Sequence, residues 1–132
     1  MILDYSGRDD HEVFFLAKEG KASALGGMDD VLMVLTTFGE EGVAKRVGRE
    51  LLELKVVACV SVLPGATSLY HWRGELCEEK EVMVMFKTTA QNYSQLEAAL
   101  QEMHPYEEPE ILAFTARGGS EGYLKFVREG VG

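Results

Sequence analysis

The residue types best suited to chemistry stand together between Met103 and Glu110, where the chain runs Met-His-Pro-Tyr-Glu-Glu-Pro-Glu. The imidazole of His104 suits copper and zinc, and the thioether of Met103 suits Cu(I). We therefore expect copper or another divalent metal ion to bind through His104 and Met103, with nearby carboxylates as helpers. The competing interpretation is structural: Pro105 ends a helix, and His104 caps it as a cation that favours the helix dipole.

A second group of interest is aromatic and consists of Tyr70, Trp72 and Tyr106. Tyr70 and Trp72 are two positions apart, so an extended chain places both on one face. Trp and Tyr are enriched at protein interfaces because they combine a large apolar area with one polar handle. The sequence predicts that these rings cover a subunit interface. The alternative is a small-ligand cleft between subunits, with Lys87 and Arg73 as anion anchors.

Motifs of the common enzyme classes are missing from the sequence. It contains no H-E-x-x-H, no G-x-S-x-G and no glycine-rich phosphate loop. We therefore do not expect an enzyme. Four carboxylates in one stretch predict the solvated rim of a hairpin, at which a cation could collect: Glu75, Glu78, Glu79 and Glu81.

Length, net charge and hydrophobicity limit the kinds of partner that this chain can have. A chain of 132 residues suits one domain, and a net charge of −9 disfavours nucleic acid, which needs clustered Lys and Arg. No apolar run approaches the roughly 20 residues that span a bilayer, and the first residues lack the basic start of a signal peptide. We expect a cytoplasmic protein that binds neither nucleic acid nor membranes.

Hydrophobic periodicity predicts the elements that position these residues. Strands are expected at 30–37, 56–63, 81–89 and 110–116, and after Pro64-Gly65 the second continues as an extended stretch, 67–76. A first helix follows a possible capping box, Thr37 to Glu40, and a second spans 90–103. A third, short helix begins at Ser120. The apolar stripe of the first helix comprises Val43, Val47, Leu51 and Leu54.

Two short signals shape the middle of the chain. Pro64-Gly65 predicts a bulge, a bend or a strand end, because proline cannot donate to a sheet ladder. Arg73-Gly74 predicts a hairpin turn. The resulting order, βαββαβ plus a C-terminal helix, indicates an α+β, ferredoxin-like fold with an antiparallel sheet. Its long central strands leave an edge that needs cover, which predicts an oligomer.

Several motifs resemble, in the right order, those of the CutA family of divalent-cation tolerance proteins. They are Ala58-Cys59, Pro64-Gly-Ala-Thr-Ser-Leu-Tyr70, Trp72-x-Gly-Glu75, Lys87-Thr88 and His104-Pro-Tyr-Glu107. The resemblance covers roughly Val31 to Val127. It implies a homotrimer of small subunits that takes part in tolerance of, or response to, divalent metal ions.

The resemblance also implies a specific copper site, which this chain only partly retains. Copper-binding members are described with a Cys near the end of the first strand and two consecutive His before Pro-Tyr. The matching positions are Thr36, Met103 and His104, so only the second His is kept. A different function, implied by fold-level analogy with the trimeric PII signalling proteins, is a regulator that binds a small anion or nucleotide at the subunit cleft.

The resemblance divides the chain into two parts. Residues 29–132 form the CutA-like domain, and residues 1–28 form an N-terminal extension of unknown role. That extension has its own apolar cluster, Val13-Phe-Phe-Leu16, which we expect to dock on the domain or on a neighbouring subunit.

Overall fold

The computed structural model describes residues 27–132. Its elements, in chain order, are β1 (Val31–Phe38), α1 (Glu41–Glu53), β2 (Cys59–Trp72), β3 (Glu75–Thr89), a 3-10 turn (Ala90–Asn92), α2 (Tyr93–Met103), β4 (Leu112–Thr115) and α3 (Glu121–Gly130). This order confirms the predicted α+β class. The extension predicted for residues 1–28, including its apolar cluster, lies almost wholly outside the described residues.

The four strands form one sheet in the order β2-β3-β1-β4, and every neighbouring pair is antiparallel. The antiparallel sheet is therefore confirmed. β3 and β1 are central, whereas β2 and β4 form the two edges. Because β2 is 14 residues long, its free edge offers many unpaired backbone groups.

Helices α1 and α2 cover one face of the sheet, here called the covered face. Cross-strand pairing places Phe38 opposite Val82 and Val34 opposite Phe86 on this face. All four side chains are buried in one core with apolar residues of both helices, among them Leu51 and Leu100. The packing follows from the pleat of β1, which points alternate residues, here Leu32, Val34 and Phe38, toward the same face.

The opposite side of the sheet, here called the open face, is apolar but only partly covered. Its side chains include Met33, Leu35, Met83, Met85, Lys87, Leu112 and Phe114, as the strand registers show. α3 lies against β1 and β3, and its Tyr123 contacts Cys59. α3 therefore covers the end of the open face near Cys59.

The β2–β3 hairpin is built from the two longest strands of the sheet and carries two local distortions. The register shifts between Leu63 and Ala66, where Pro64 and Gly65 form the predicted bulge. Gly65 has a φ of 88°, which favours glycine. At the tip, Arg73 and Gly74 have φ values of 51° and 80°, the left-handed pair that a two-residue hairpin turn requires.

Three local predictions were wrong. Thr37 does not cap α1, because it remains in β1 and Glu40 occupies the N-cap position without a side-chain bond. Leu54 is exposed, since the helix ends at Glu53. β2 begins at Cys59 rather than Val56, because the first backbone bond to β3 is donated by Ala58 to the Lys87 carbonyl.

Among residues 27–132, no helix is long and apolar enough to span a bilayer.

Candidate functional site

The candidate site lies where α2 ends beside the end of β1. The backbone N–H of His104 donates to the Leu100 carbonyl at 2.8 Å and closes the last turn of the helix. His104 itself is extended, with φ −73° and ψ 131°, as expected for a residue before proline. Pro105 thus redirects the chain and leaves the imidazole facing β1.

The His104 ring is held on three sides. Its Nε2 atom lies 2.8 Å from the Thr37 carbonyl oxygen, and its Nδ1 atom accepts a hydrogen bond from the Tyr106 backbone N–H at 3.1 Å. The ring also stacks on Phe38, with centroids 4.3 Å apart and planes 10° from parallel. These contacts leave His104 only 6% exposed.

The two hydrogen bonds fix the protonation of His104. A backbone N–H can only donate, so Nδ1 must carry a lone pair; the Thr37 carbonyl can only accept, so Nε2 must carry the proton. Burial lowers the pKa of the imidazole below its usual value, and this outweighs the Thr37 carbonyl, which raises it. His104 does occupy the C-cap position, but the prediction that it caps the helix as a cation was wrong, because the ring is neutral.

Tyr106 connects this histidine to the β3 strand. Its hydroxyl donates to Glu81 Oε2 at 3.0 Å, and its ring lies beside that of His104, with centroids 4.8 Å apart. Burial and the Glu81 carboxylate both raise the pKa of Tyr106, so the phenol stays protonated and able to donate.

Glu81 is the residue that sequence reasoning placed wrongly. We predicted a solvated rim position, yet its side chain is buried and the residue is 2% exposed. Burial acts to raise its pKa, but hydrogen bonds from Ser68 and Tyr106 act against it, and the pKa lies below the usual value. The available signal was its position at the start of the apolar run of β3, where an alternating strand enters the sheet.

Two further carboxylates lie around Glu81. Glu79 accepts a hydrogen bond from Tyr70, and desolvation together with this bond raises the pKa of Tyr70 to about 12. Burial, followed by repulsion from Glu81, raises the pKa of the Glu110 carboxyl. Tyr70 also acts on the pKa of Tyr106, so the structure does bring these two predicted aromatic residues together.

Trp72 and Lys87 lie outside this cluster of carboxylates and aromatic rings. Trp72 is at the hairpin tip, where the Arg73 guanidinium lies 5.4 Å from its ring centroid. Lys87 lies on the open face and donates to Ser61 Oγ at 3.0 Å. Tyr70 lies opposite Cys77 on β3, and Lys87 is on the same strand, opposite Cys59. About ten residues of strand, or roughly 33 Å, therefore separate Tyr70 from Lys87 within one chain.

The predicted copper ligands do not form a metal site in this conformation. Both His104 nitrogens are in hydrogen bonds, and Met103 packs against the core. The hydroxyl of Thr36, the position that the resemblance matches to a Cys, is buried and has no hydrogen-bond partner in the described part of the chain. Within residues 27–132, no three His, Cys, Asp or Glu side chains are placed to hold a metal ion. These residues do not fit copper.

The chain is therefore an α+β protein. It has a four-stranded antiparallel sheet with two helices on one face, a long bulged hairpin and an open apolar face. The family model of the CutA1 divalent ion tolerance protein matches residues 32–130. The chain therefore belongs to the CutA1 family. That description names tolerance of divalent ions and no catalysed reaction.

Similar proteins agree with this assignment. The divalent-cation tolerance protein CutA of Thermus thermophilus is 38% identical over 100 residues, which cover 76% of this chain and 97% of that protein. The CutA of Pectobacterium atrosepticum is 37% identical over 98 residues, covering 74% of this chain and 89% of the relative.

Solved structures give the same result. The Thermus thermophilus structure, described as a divalent cation tolerance protein, superposes with a TM-score of 0.75 at 37% identity and covers 77% of this chain and 99% of its own. The CutA of Synechococcus elongatus has a TM-score of 0.75 at 34% identity and covers 79% and 92% of the two chains.

Proposed function

We propose that this chain acts in the cytoplasm as a homotrimer of ferredoxin-like subunits that protects cells against divalent metal ions. It would be a binding and assembly protein rather than an enzyme, and its partners would be two further copies of itself and metal ions, with no nucleic acid and no membrane. The observation that carries the assembly is the open face of the sheet. Membership in the CutA1 family supports the role in metal tolerance.

The open face has the composition of an interface. Leu112 and Phe114 of β4 are both more than two-fifths exposed, and they continue an apolar surface that includes Met33, Leu35 and Met85. Contiguous apolar surface of this kind marks a protein contact, and methionine is common on such surfaces because it adapts its shape. A neighbouring copy would remove this surface from water.

The free edge of β2 supports the same conclusion. A long edge strand exposes a row of N–H and C=O groups and is a pairing hazard unless it is covered. Closed rotational symmetry covers every such edge with an identical neighbour. The half-buried rings of Tyr70 and Trp72 lie along this edge, so their predicted role at a subunit interface stays part of the proposal.

Metal binding through His104 and Met103 stays a prediction. The hydrogen bonds of both His104 ring nitrogens disfavour it. The PII-like alternative would need cations that converge on an anion. The candidate cations are Arg73 and Lys87. Arg73 lies in the turn before Glu75, the first residue of β3, and Lys87 lies near the other end of that strand. Glu75 and Lys87 are roughly 40 Å apart within one subunit, at ~3.3 Å per residue. No observation on the described residues favours that alternative.

A growth assay tests the proposed role. A bacterial host that lacks its own CutA relative would receive either the full chain or a variant with Phe114→Asp, which introduces a charge on the open face. Growth in rising copper, zinc and cadmium should be restored by the wild-type chain and not by the variant. If a folded, well-expressed wild-type chain restores no growth with any of the three metals, the proposed function is wrong.

A further inference from the structure

The strongest unexplained feature is the completeness of the contacts around His104. The ring lies between Phe38 at the end of β1 and Tyr106 in the loop after α2, and each ring nitrogen has its own backbone partner. Because a buried polar group without a partner is costly, these hydrogen bonds hold the ring in this position.

We infer that His104 is a hydrogen-bonded latch and not a metal ligand in this chain. It closes the loop 104–110 over the end of β1 and thereby places the Tyr106 hydroxyl on Glu81. His104 is thus a positioning residue that acts through Tyr106. The inference concerns this locus alone and does not rest on the proposed trimer or on metal tolerance.

The imidazole of His104 cannot keep both hydrogen bonds and bind a metal ion at the same time. A metal binds the lone pair of an unprotonated ring nitrogen. At Nδ1 that lone pair accepts from the Tyr106 N–H, so a metal there would leave a backbone donor without its partner. At Nε2 the proton donates to the Thr37 carbonyl, and removing it would leave that acceptor unpaired. An unsatisfied buried group is costly, so each substitution opposes the metal.

Among residues 27–132, the two other positions matched to the copper site supply no compensating ligand. Thr36 offers a hydroxyl, which is a poor ligand for a soft metal, and the Met103 side chain packs against the core. The family's copper ligands are therefore replaced at two of three positions and hydrogen-bonded at the third. The latch joins three separate segments: the end of β1, the end of α2, and β3 beside the bulge.

The first test observes the ring directly in the full-length protein. Nitrogen-15 NMR of labelled histidine distinguishes the tautomers, and the His104→Gln variant assigns the signal among the three histidines of the chain. We expect the Nε2-protonated form before and after addition of one equivalent of Cu(I), Zn(II) or Cd(II). Loss of that form, or a metal-dependent shift of its nitrogen signals, would overturn the inference.

The second test separates the two hydrogen bonds by rescue. Asn at position 104 can place an amide oxygen near Nδ1, whereas Ala cannot, and neither residue is a good copper ligand. Exchange of the Tyr106 amide hydrogen should be at least tenfold faster in His104→Ala than in wild type and should return to within threefold in His104→Asn. Equal exchange in the Ala and Asn variants would contradict the latch.

A metal titration provides the control for both tests. Apparent Cu(I) affinity of the full chain should change less than threefold in His104→Asn and in Met103→Leu, which keeps the apolar volume. A tenfold or greater loss in either variant would return these residues to a metal site and refute the inference. Neither result depends on whether the protein forms trimers.

Discussion

The two faces of the sheet come from the same strands but differ in how far they are buried. On the covered face, Val34, Val84 and Phe86 are completely buried beneath two helices. On the open face, Met33 and Met85 are half-buried and Phe114 is 47% exposed. The covered face is completed within one chain, whereas in the proposed trimer a second copy would cover the open face. Stability of the subunit and stability of the assembly should therefore respond to different substitutions.

The largest effect is expected on the covered face. Phe86 lies in the central strand β3 and is fully buried against the core. Its replacement by Ala removes a large apolar side chain and leaves a cavity, which costs about 3–5 kcal/mol of folding free energy. Urea unfolding of the variant should show this loss. A loss below about 1 kcal/mol would mean that the covered face is not the core.

A charge on the open face should act on assembly instead. Phe114→Asp would place a carboxylate in the proposed contact and weaken association by at least tenfold, or about 1.4 kcal/mol. The matched control is Leu52→Asp, because Leu52 is similarly exposed at 40% but lies on α1, away from the open face. Sedimentation should show smaller particles only for Phe114→Asp. Equal behaviour of the two variants would remove the distinction between the faces.

The pH dependence of stability tests the junction between β1 and α2. Burial holds the folded-state pKa of His104 below the unfolded value of about 6.5, so the unfolded chain binds more protons as pH falls. The stabilisation is complete above about pH 6.5 and is lost as pH falls through the folded-state pKa. Unfolding free energies measured at pH 7.5 and 5.5 should fall more in wild type than in His104→Asn, which cannot titrate there. Parallel falls would argue against a buried neutral ring.

The smallest effect is expected at an exposed helix surface. Lys45 and Glu41 form an ion pair at 3.3 Å, and both side chains are about half exposed. Such pairs one helical turn apart contribute only about 0.3–0.5 kcal/mol. Lys45→Ala should therefore shift the midpoint of urea unfolding only slightly and leave the mass of the assembled particle unchanged. A loss above about 1 kcal/mol would show a role for this surface beyond solubility.

Local patterns predicted the architecture well and the helix start poorly. The strand predicted at β1, the apolar stripe of α1 from Val43 to Leu51 and the Pro64-Gly65 bulge all appear in the structure, because each depends on near neighbours in sequence. The capping box failed since Thr37 is also a good strand residue, and pairing with Met83 of β3 keeps it in the sheet. Competition with a strand distant in sequence is not visible in a four-residue motif.

The candidate site was predictable only in part, for a similar reason. The motif around His104 and Tyr106 indicated the right loop, but the sequence could not show that both ring nitrogens would find backbone partners. The burial of Glu81 was also missed, because it lies in a run of acidic residues typical of an exposed rim. Its environment depends on Ser68 across the hairpin and on Tyr106, 25 residues away.

The central claim is that the open face joins three copies of the chain. Light scattering of the full-length protein, measured over a hundredfold range of concentration, tests it most directly. The account predicts about three times the chain mass of 14.6 kDa, with any smaller species confined to the most dilute samples. A monomeric mass at every concentration would contradict it.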